Sequence, residues 1–465
     1  MAIHNAAFFG AAAFLLGVAT ASVGIAFGVY AATLGAAAFG LVAVKKSFSV
    51  GLSRLAVAGL AGAAMTGFLY FHLSAVLKEP YLPAGAPLEA VIAREPKRGD
   101  RQELTLSLRA PAKGSVVWYA PRYPAYAYGD VLRFGSESSL SVRYGRYVLR
   151  GDATRTAEGE GSRLRSALYA AKRAFVGTLE ATLPREKAAL LAGLTVGERG
   201  EFSDEFKEAL RVSGTTHIVA LSGYNIAVVA LAAGALFLKF LPRRLGFLAT
   251  LGLIAAFVIA TGAEASVVRA GIMGAILLLA KDSGRMYNLR NAIALTAFVM
   301  VAADPSVLIF DLGFQLSFLA LLGIVFLMPA IASFVARVRG VPAILKEHFA
   351  TTAAAQLAVM PLLLASFGSV SLFSLPANVL VLFTVPVTMA LGFLTGFAGL
   401  VSATLAEFFA IPAGVLLSYQ IGAIEFFSRL PQAGLTLTPS WLIVLPYYAL
   451  LVFWIRRKPK PSHAP

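Results

Sequence analysis

Residues 6–44 read AAFFGAAAFLLGVATASVGIAFGVYAATLGAAAFGLVAV, a run broken only by Thr20, Ser22 and Thr33 and free of charge. Crossing the hydrocarbon of a bilayer takes about 20 predominantly apolar residues as helix. The run is therefore long enough for two tightly connected spans, and Leu55 to Leu77 supplies a third. The whole chain is of the same character: 58% of its 465 residues are hydrophobic, 14% are charged, and the mean hydropathy is +0.76. Such a composition requires lipid as solvent, and runs this continuous exclude the short alternating strands of a membrane barrel. The N-terminal run continues into further apolar sequence without a cleavage site, so it reads as spans and not as a removable signal.

Charge placement gives an expected orientation. Lys45, Lys46 and Arg54 fall in the connection before the third span, which the positive-inside rule puts in the cytoplasm. The third span then delivers the next segment to the far side. Much of the net charge of +16 is accounted for by this rule, and Arg456, Arg457, Lys458 and Lys460 place the C-terminus inside. The chain has no cysteine, and its five histidines, His4, His72, His217, His348 and His463, are scattered. Thiolate chemistry is excluded, and no metal or cofactor is expected.

From Pro80 the texture changes. Leu104, Leu106 and Leu108 alternate with Thr105 and Ser107, the period of a strand with one buried face. Further strands are predicted at Leu88 to Ala93, Ser115 to Ala120, Val131 to Phe134 and Leu140 to Leu149, enough for a small OB-like β-barrel. Its Arg122, Tyr123, Tyr126 and Arg133 suit base stacking and phosphate contact, or else complete a small core. Arg163 to Leu183 has an amphipathic helical pattern with Leu164, Leu168, Phe175 and Leu179 on one side. Arg163, Arg165, Lys172 and Arg173 lie largely on the other, as for a helix in the interface or packed on the spans. Nine further spans are predicted, near 216–239, 245–261, 264–281, 288–303, 308–333, 349–370, 376–402, 405–430 and 440–455. The expected fold is a polytopic α-helical membrane protein of about 10 to 12 spans with an inserted extracytoplasmic β domain. Its expected segments are N-terminal helices 1–79, β domain 80–160, interfacial helices 161–213, channel domain 214–455 and basic tail 456–465.

Polar groups within apolar spans are costly and mark candidate sites. His217 and Asn225 are spaced to share a helix face, with Ser222 and Gly223 between them. Arg269 lies in an apolar run with Ser266 one turn before it and Glu264 nearby. Asp311 and Gln315 are spaced to face one way. Gln356, Ser374 and Asn378 are interleaved with Pro361, Pro376 and Pro386, a pattern of broken or kinked helices lining a cavity.

These residues carry a family resemblance. LLAGLTVGERG at 190–200 is followed by an acidic helix around Asp204 and Glu208, and then by SGTTHIVALSGYNIAVV from Ser213. The last run resembles the GltHllAiSGlH pattern of the ComEC family of competence DNA channels, with Asn225 where that family commonly has a second histidine. Ser266, Arg269 and Ala270 resemble its pS-x-x-RA segment, with Ala265 in place of proline. Asp304-Pro305 with GFQLSFLALLGI from Gly313, and Pro361 with Pro376-Ala377-Asn378, resemble two more. The likeness runs from about Pro80 to Ser402.

The resemblance implies a multi-pass bacterial plasma-membrane protein that passes single-stranded DNA into the cytoplasm during natural transformation. A route for a polyanion must be wet and lined by cations, and Arg269 is the intramembrane candidate, with His217, Ser222, Gly223, Asn225, Ser266, Asp311, Gln315 and Asn378 as further lining. The sequence lacks a phosphate-binding loop ending in Lys-Ser or Lys-Thr, so a separate cytoplasmic motor ATPase is implied, together with a separate DNA receptor. The chain ends in RRKPKPSHAP without the metallo-β-lactamase-like domain of many members, so no nuclease activity is expected of it and a nuclease on another chain stays open. No other enzymatic step is expected. The alternatives are a small-molecule or lipid-related transporter and an intramembrane hydrolase built on Ser222 and His217; the latter needs a base from another helix, since residues five apart on one helix diverge.

Overall fold

The computed structural model describes residues 3–453 except 45–53, 84–85, 98, 100, 144, 199, 201, 220–222, 284–285, 432–433, 437–443, 445 and 452. Ser222, Lys45, Lys46 and the basic tail therefore lie outside the described residues. Three helices come first: α1 (Ile3–Ser22), α2 (Phe27–Val44) and α3 (Arg54–Lys78). Seven strands follow: β1 (Leu88–Ile92), β2 (Gln102–Leu108), β3 (Ser115–Ala120), β4 (Val131–Phe134), β5 (Ser139–Arg143), β6 (Arg146–Arg150) and β7 (Ala153–Ala157). Next are α4 (Arg163–Thr182), α5 (Arg185–Val196), α6 (Asp204–Ser213), α7 (Thr216–Val219), α8 (Gly223–Phe240), α9 (Arg243–Ala260), α10 (Ala265–Asp282), α11 (Leu289–Ala303) and α12 (Val307–Phe310). The chain continues through α13 (Leu312–Phe326), α14 (Met328–Val335), α15 (Ala343–Phe367), β8 (Ser369–Ser371), α16 (Ser374–Gly399), α17 (Ala403–Ser428) and β9 (Gly434–Thr436).

Among the described residues five helices, α3, α9, α15, α16 and α17, are long and apolar enough to cross a membrane, and the span expected near 440–455 lies largely outside the described residues. The pair α13 and α14, bent by 51°, makes a sixth if it is one span. Against the expected 10 to 12, the remaining apolar helices are short stretches of 10–17 residues within α1, α2, α8, α10 and α11.

The chain divides into two compact units. The first comprises residues 1–170 and 229–314. In it α1 and α3 touch backbone to backbone: a Cβ on Gly17 would lie 1.9 Å from the Ala64 carbonyl oxygen, and one on Gly67 would lie 2.1 Å from that of Phe14. Without a hydrophobic drive between helices in lipid, this close approach of small residues is what holds them. The Tyr70 hydroxyl donates to the Ala302 carbonyl at 2.5 Å, and Lys78 Nζ donates to Ala303 O at 3.3 Å and Asp304 Oδ1 at 3.2 Å. The end of α3 is thus pinned to the end of α11 just before the chain enters the strands.

The strands form one sheet in the order β5-β6-β3-β2-β1-β4-β7. Leu104, Leu106 and Leu108 are buried as their alternation predicts, in a core with Ile92, Trp118, Leu132 and Phe134. Two features depart from the sequence reading. Leu140 to Leu149 is not one strand but the hairpin β5–β6, whose turn includes Gly145 at φ +69°, a conformation that favours glycine. β7 was not anticipated, because its Thr-Arg-Thr stretch is exposed and carries no apolar alternation. The Gly145 turn abuts the Phe310 ring of α12, with room for no side chain between them.

The second unit comprises residues 171–228 and 315–465. At its centre is α5, every residue of which from Ala188 to Val196 is buried. Around it lie residues of α4, α6, α16 and α17 in one continuous apolar cluster. The face of α4 that packs here carries Lys172, Phe175, Val176 and Leu179, so this helix packs on the spans, the second of its two expected placements. Leu164, placed on the apolar side by its spacing, is 65% exposed. Glycines of α16 admit the neighbours: Cβ atoms at Gly392, Gly396 and Gly399 would meet Leu191, Phe175 and Thr178 at 2.6, 2.1 and 2.8 Å.

Gly396→Ala is expected to lower stability by about 1–3 kcal/mol through overpacking against Phe175. Gly422→Ala, where nothing lies within 4 Å, should leave stability unchanged or raise it, as alanine favours helix. Melting temperatures of the two variants in detergent check this; equal behaviour would show that the close approach of α4 to α16 does not exist.

Candidate functional site

In the second unit two chain breaks meet. The helix α6 begins at the Ser203 cap, whose hydroxyl accepts from Phe206 N at 3.2 Å, and ends at Gly214 in the left-handed conformation, φ +72°. The short helix α7 follows. Opposite, α15 ends at Gly368, and β8 returns the chain to the first turn of α16. Gln356 Nε2 donates to Ser374 Oγ although Gln356 lies 11 residues before the end of α15. At 1.5 Å per residue, α16 therefore begins about 16 Å back along α15. The breaks expected within these spans are not found: α15 and α16 continue through Pro361 and Pro386, and the gap at 368–373 is the connection between two successive helices.

The residues at these breaks are polar and buried. Ser213 and Thr215 hydroxyls bond each other at 2.7 Å, and Ser374 Oγ donates to Ser371 O at 3.0 Å. Asn378 is 2% exposed and its Nδ2 donates to the Gly214 carbonyl at 3.4 Å. The His217 ring also hydrogen-bonds the Gly214 backbone, and the side chain is exposed. Gly214 cannot carry a side chain here, since its Cβ would lie 2.5 Å from that of Ser374. Two sequence candidates from distant segments, His217 and Asn378, are thereby brought to one carbonyl.

The other candidates are placed differently. Asn225 is buried and its Nδ2 donates to Leu194 O at 2.9 Å, where it satisfies a carbonyl in the last turn of α5. His217 lies in α7 and Asn225 in α8, and the residues that join them, 220–222, lie outside the described residues. Gln315 is half-buried on α13. Ser266 and Arg269, half-buried in the first turns of α10, belong to the first unit, as does Asp311. Asp311 precedes α13, and its Oδ1 accepts from Phe314 N at 2.9 Å. It caps that helix instead of sharing a face with Gln315, because a carboxylate three residues before an amide of the first turn is an N-cap.

Among the strands, Arg122 and Tyr123 are exposed, Tyr123 by 74%, with the guanidinium 5.9 Å from the ring centre, and Arg133 is exposed on β4. Tyr126 is a correction to the proposed contact set: it is 4% exposed, packed edge-on against Trp118, and burial raises its phenol pKa. Sequence reading missed Gln102. Its buried Nε2 donates to the carbonyls of Pro121, Arg122 and Pro124, and its Oε1 accepts from Tyr126 N, so it holds the loop that presents Arg122 and Tyr123. Its place at the head of an alternating strand gave no signal beyond the pattern itself.

A family model described as Competence protein matches residues 194–460, more than half of the chain. The chain belongs to the Competence protein family. It is similar to "ComE operon protein 3" of Bacillus subtilis (strain 168), 29% identical over 201 residues, 43% of this chain and 25% of that protein. The match thus spans a quarter of that relative's length. No solved structure matches the chain. The Competence protein match takes in His217, Asn225, Arg269, Asp311 and Asn378, whereas β1 to β7 lie outside it. Membership and the apolar helices together make this a membrane protein.

The Competence protein match begins at Leu194, within the LTVGERG stretch. There Glu198 pairs with Lys172 of α4 at 2.5 Å, and Lys172 is buried, not solvated as its place among the charges of α4 suggested. Among the described residues no group of three or more His, Cys, Asp or Glu is placed to hold a metal.

Removing one partner of the pair strands the other. Lys172→Met or Glu198→Met alone should each cost roughly 2–4 kcal/mol, and the double variant Lys172→Met with Glu198→Met less than either. Asn225→Ala, which leaves Leu194 O unpaired, should cost about 1–3 kcal/mol. Denaturation of the detergent-solubilised protein measures all four; an additive double variant would show that Lys172 and Glu198 are uncoupled.

Proposed function

We propose that the chain forms a route by which single-stranded DNA crosses the bacterial plasma membrane during natural transformation, with no chemical step of its own. The observation that carries the proposal is the family match over the helical region. It is supported by the polar chain breaks around Gly214 inside an otherwise apolar unit, since non-helical backbone at membrane depth occurs where it lines a cavity or is buried in protein. His217, with its ring exposed, and Arg269, a cation on an apolar helix, are the proposed lining, along with Ser222, Gly223, Asn225, Ser266, Asp311, Gln315 and Asn378. The buried state of Asn225 and Asn378 assigns them to supporting the path in this conformation.

In this reading the chain is multi-pass. The shorter apolar helices pack as further, partly spanning segments, the strands lie outside the cytoplasm, and the C-terminus lies within it. An OB-like barrel is supported by the parallel β3/β6 pair and by the chain passing directly from β4, beside β1, to β5, beside β6. The exposed Arg122–Tyr123 pair is its proposed DNA contact, with Arg133 contributing charge. A separate DNA receptor and a separate motor ATPase supply capture and pulling, and any nuclease acts from another chain.

Uptake of labelled, genetically marked DNA tests the proposal in the organism that encodes the chain. Deletion should abolish transformants and internalised strand, and Arg269→Ala at normal membrane level should lower both at least tenfold. Undiminished DNA entry in the deletion would overturn it. For the outer contact, Tyr123→Ala in the purified chain should weaken binding of a fluorescent oligonucleotide about tenfold, in line with loss of one stacking platform. Unchanged binding would remove Tyr123 from the contact.

A further inference from the structure

The polar cluster around Gly214 holds buried oxygens with unused capacity. Asn378 spends its Nδ2 on Gly214 O, while its Oδ1 is buried and has no hydrogen-bond partner among the described residues. Ser371 Oγ is in the same condition. Both residues approach Gly214: Asn378 bonds its carbonyl, and the Ser371 Cβ lies 3.0 Å from where a Cβ on Gly214 would stand. Ser213 and Thr215, on either side of Gly214, are fully buried, with Ser213 Oγ directed to Leu210 O at 3.3 Å. Each buried polar atom without a partner costs about 1–3 kcal/mol, so two together in an apolar unit call for a ligand.

The chemistry of these groups selects the ligand class. All four are neutral oxygens, one amide and three hydroxyls, which suits a hard cation. Glu208, six residues before Gly214, is taken up by Arg211 at 2.6 and 2.8 Å and is not offered to a divalent ion. That pair leaves Arg211 neutralised where it reaches Ser369 Oγ at 3.3 Å, so it does not repel a cation. The last turn of α6 adds the negative end of a helix dipole. Oxygens at interrupted helices, with helix C-termini pointing in, are the means by which membrane proteins hold monovalent ions.

We propose that Asn378 Oδ1 and Ser371 Oγ, with the hydroxyls of Ser213 and Thr215, bind a sodium ion that ties α6, β8 and α16 together. This site stands on its own oxygens and does not depend on DNA being the cargo.

Binding of radioactive sodium to the purified full chain in detergent is the test, paired with melting temperatures in sodium chloride and in choline chloride at equal ionic strength. Wild type should bind sodium saturably, with displacement by unlabelled sodium and not by choline, and should melt higher in sodium. Ser371→Ala should keep the fold, weaken sodium binding about tenfold and lose most of the sodium-dependent shift; Asn378→Ala should abolish both. No saturable binding by folded wild type would show a pocket served by water alone and would overturn the proposal. Equal sodium binding by wild type and both variants would also overturn it, since the ion would then sit elsewhere.

Discussion

A helix that stops inside an apolar shell strands carbonyls and amides where no water is free to take them, and each costs several kcal/mol if left alone. The second unit is organised around meeting that demand. The end of α6 is closed by Gly214, whose amide returns to Arg211 O, while the amide of Thr215 returns to Leu210 O. The Gly214 carbonyl is then taken by Asn378 from α16. The end of α5 is met by Asn225 from the start of α8. Two asparagines that look alike in the sequence, each in an apolar run, are thus the connectors of separate breaks, and each ties a helix end to an element distant in the chain.

This arrangement depends on helices lying closer than ordinary side chains allow. Glycines at 392, 396 and 399 on α16 let Leu191, Phe175 and Thr178 approach its backbone, so that α4 and α5 are held against the spans. The Lys172–Glu198 pair is affordable only in that setting. A buried ammonium needs a fixed partner, and the rigid αL turn after α5 at Gly197 presents Glu198 to it. Packing by small residues comes first, and the buried charges and amides are then oriented by it.

Much of the fold was legible because its signals are local. Continuous apolar runs announced helices, and the alternation of Leu104, Leu106 and Leu108 announced a strand with one buried face. What local pattern cannot supply is length and termination. Hydropathy merges the β5–β6 hairpin into one strand, because the turn is made by backbone geometry at residues that do not interrupt the apolar average. Lys172 was misplaced for a related reason. Its spacing among Arg163, Arg165 and Arg173 marks a charged face, but whether a charge on that face meets solvent or a carboxylate depends on a partner 26 residues away.

The candidate site was legible as a set of costly residues and not as an arrangement. Polar groups in apolar runs stand out by their cost, yet the chemistry each performs is fixed by what it faces. Asp311 faces its own helix start, Asn225 faces the end of another helix, and His217 and Asn378 both reach the Gly214 backbone. Gln102 shows the converse. Three carbonyls and one amide of a single loop converge on its side chain, which makes the Arg122–Tyr123 pair a rigid display instead of a floppy one. A residue of this kind never touches what the loop touches. Its contribution is the entropy already lost before any contact, since a loop held in this way does not first have to be ordered.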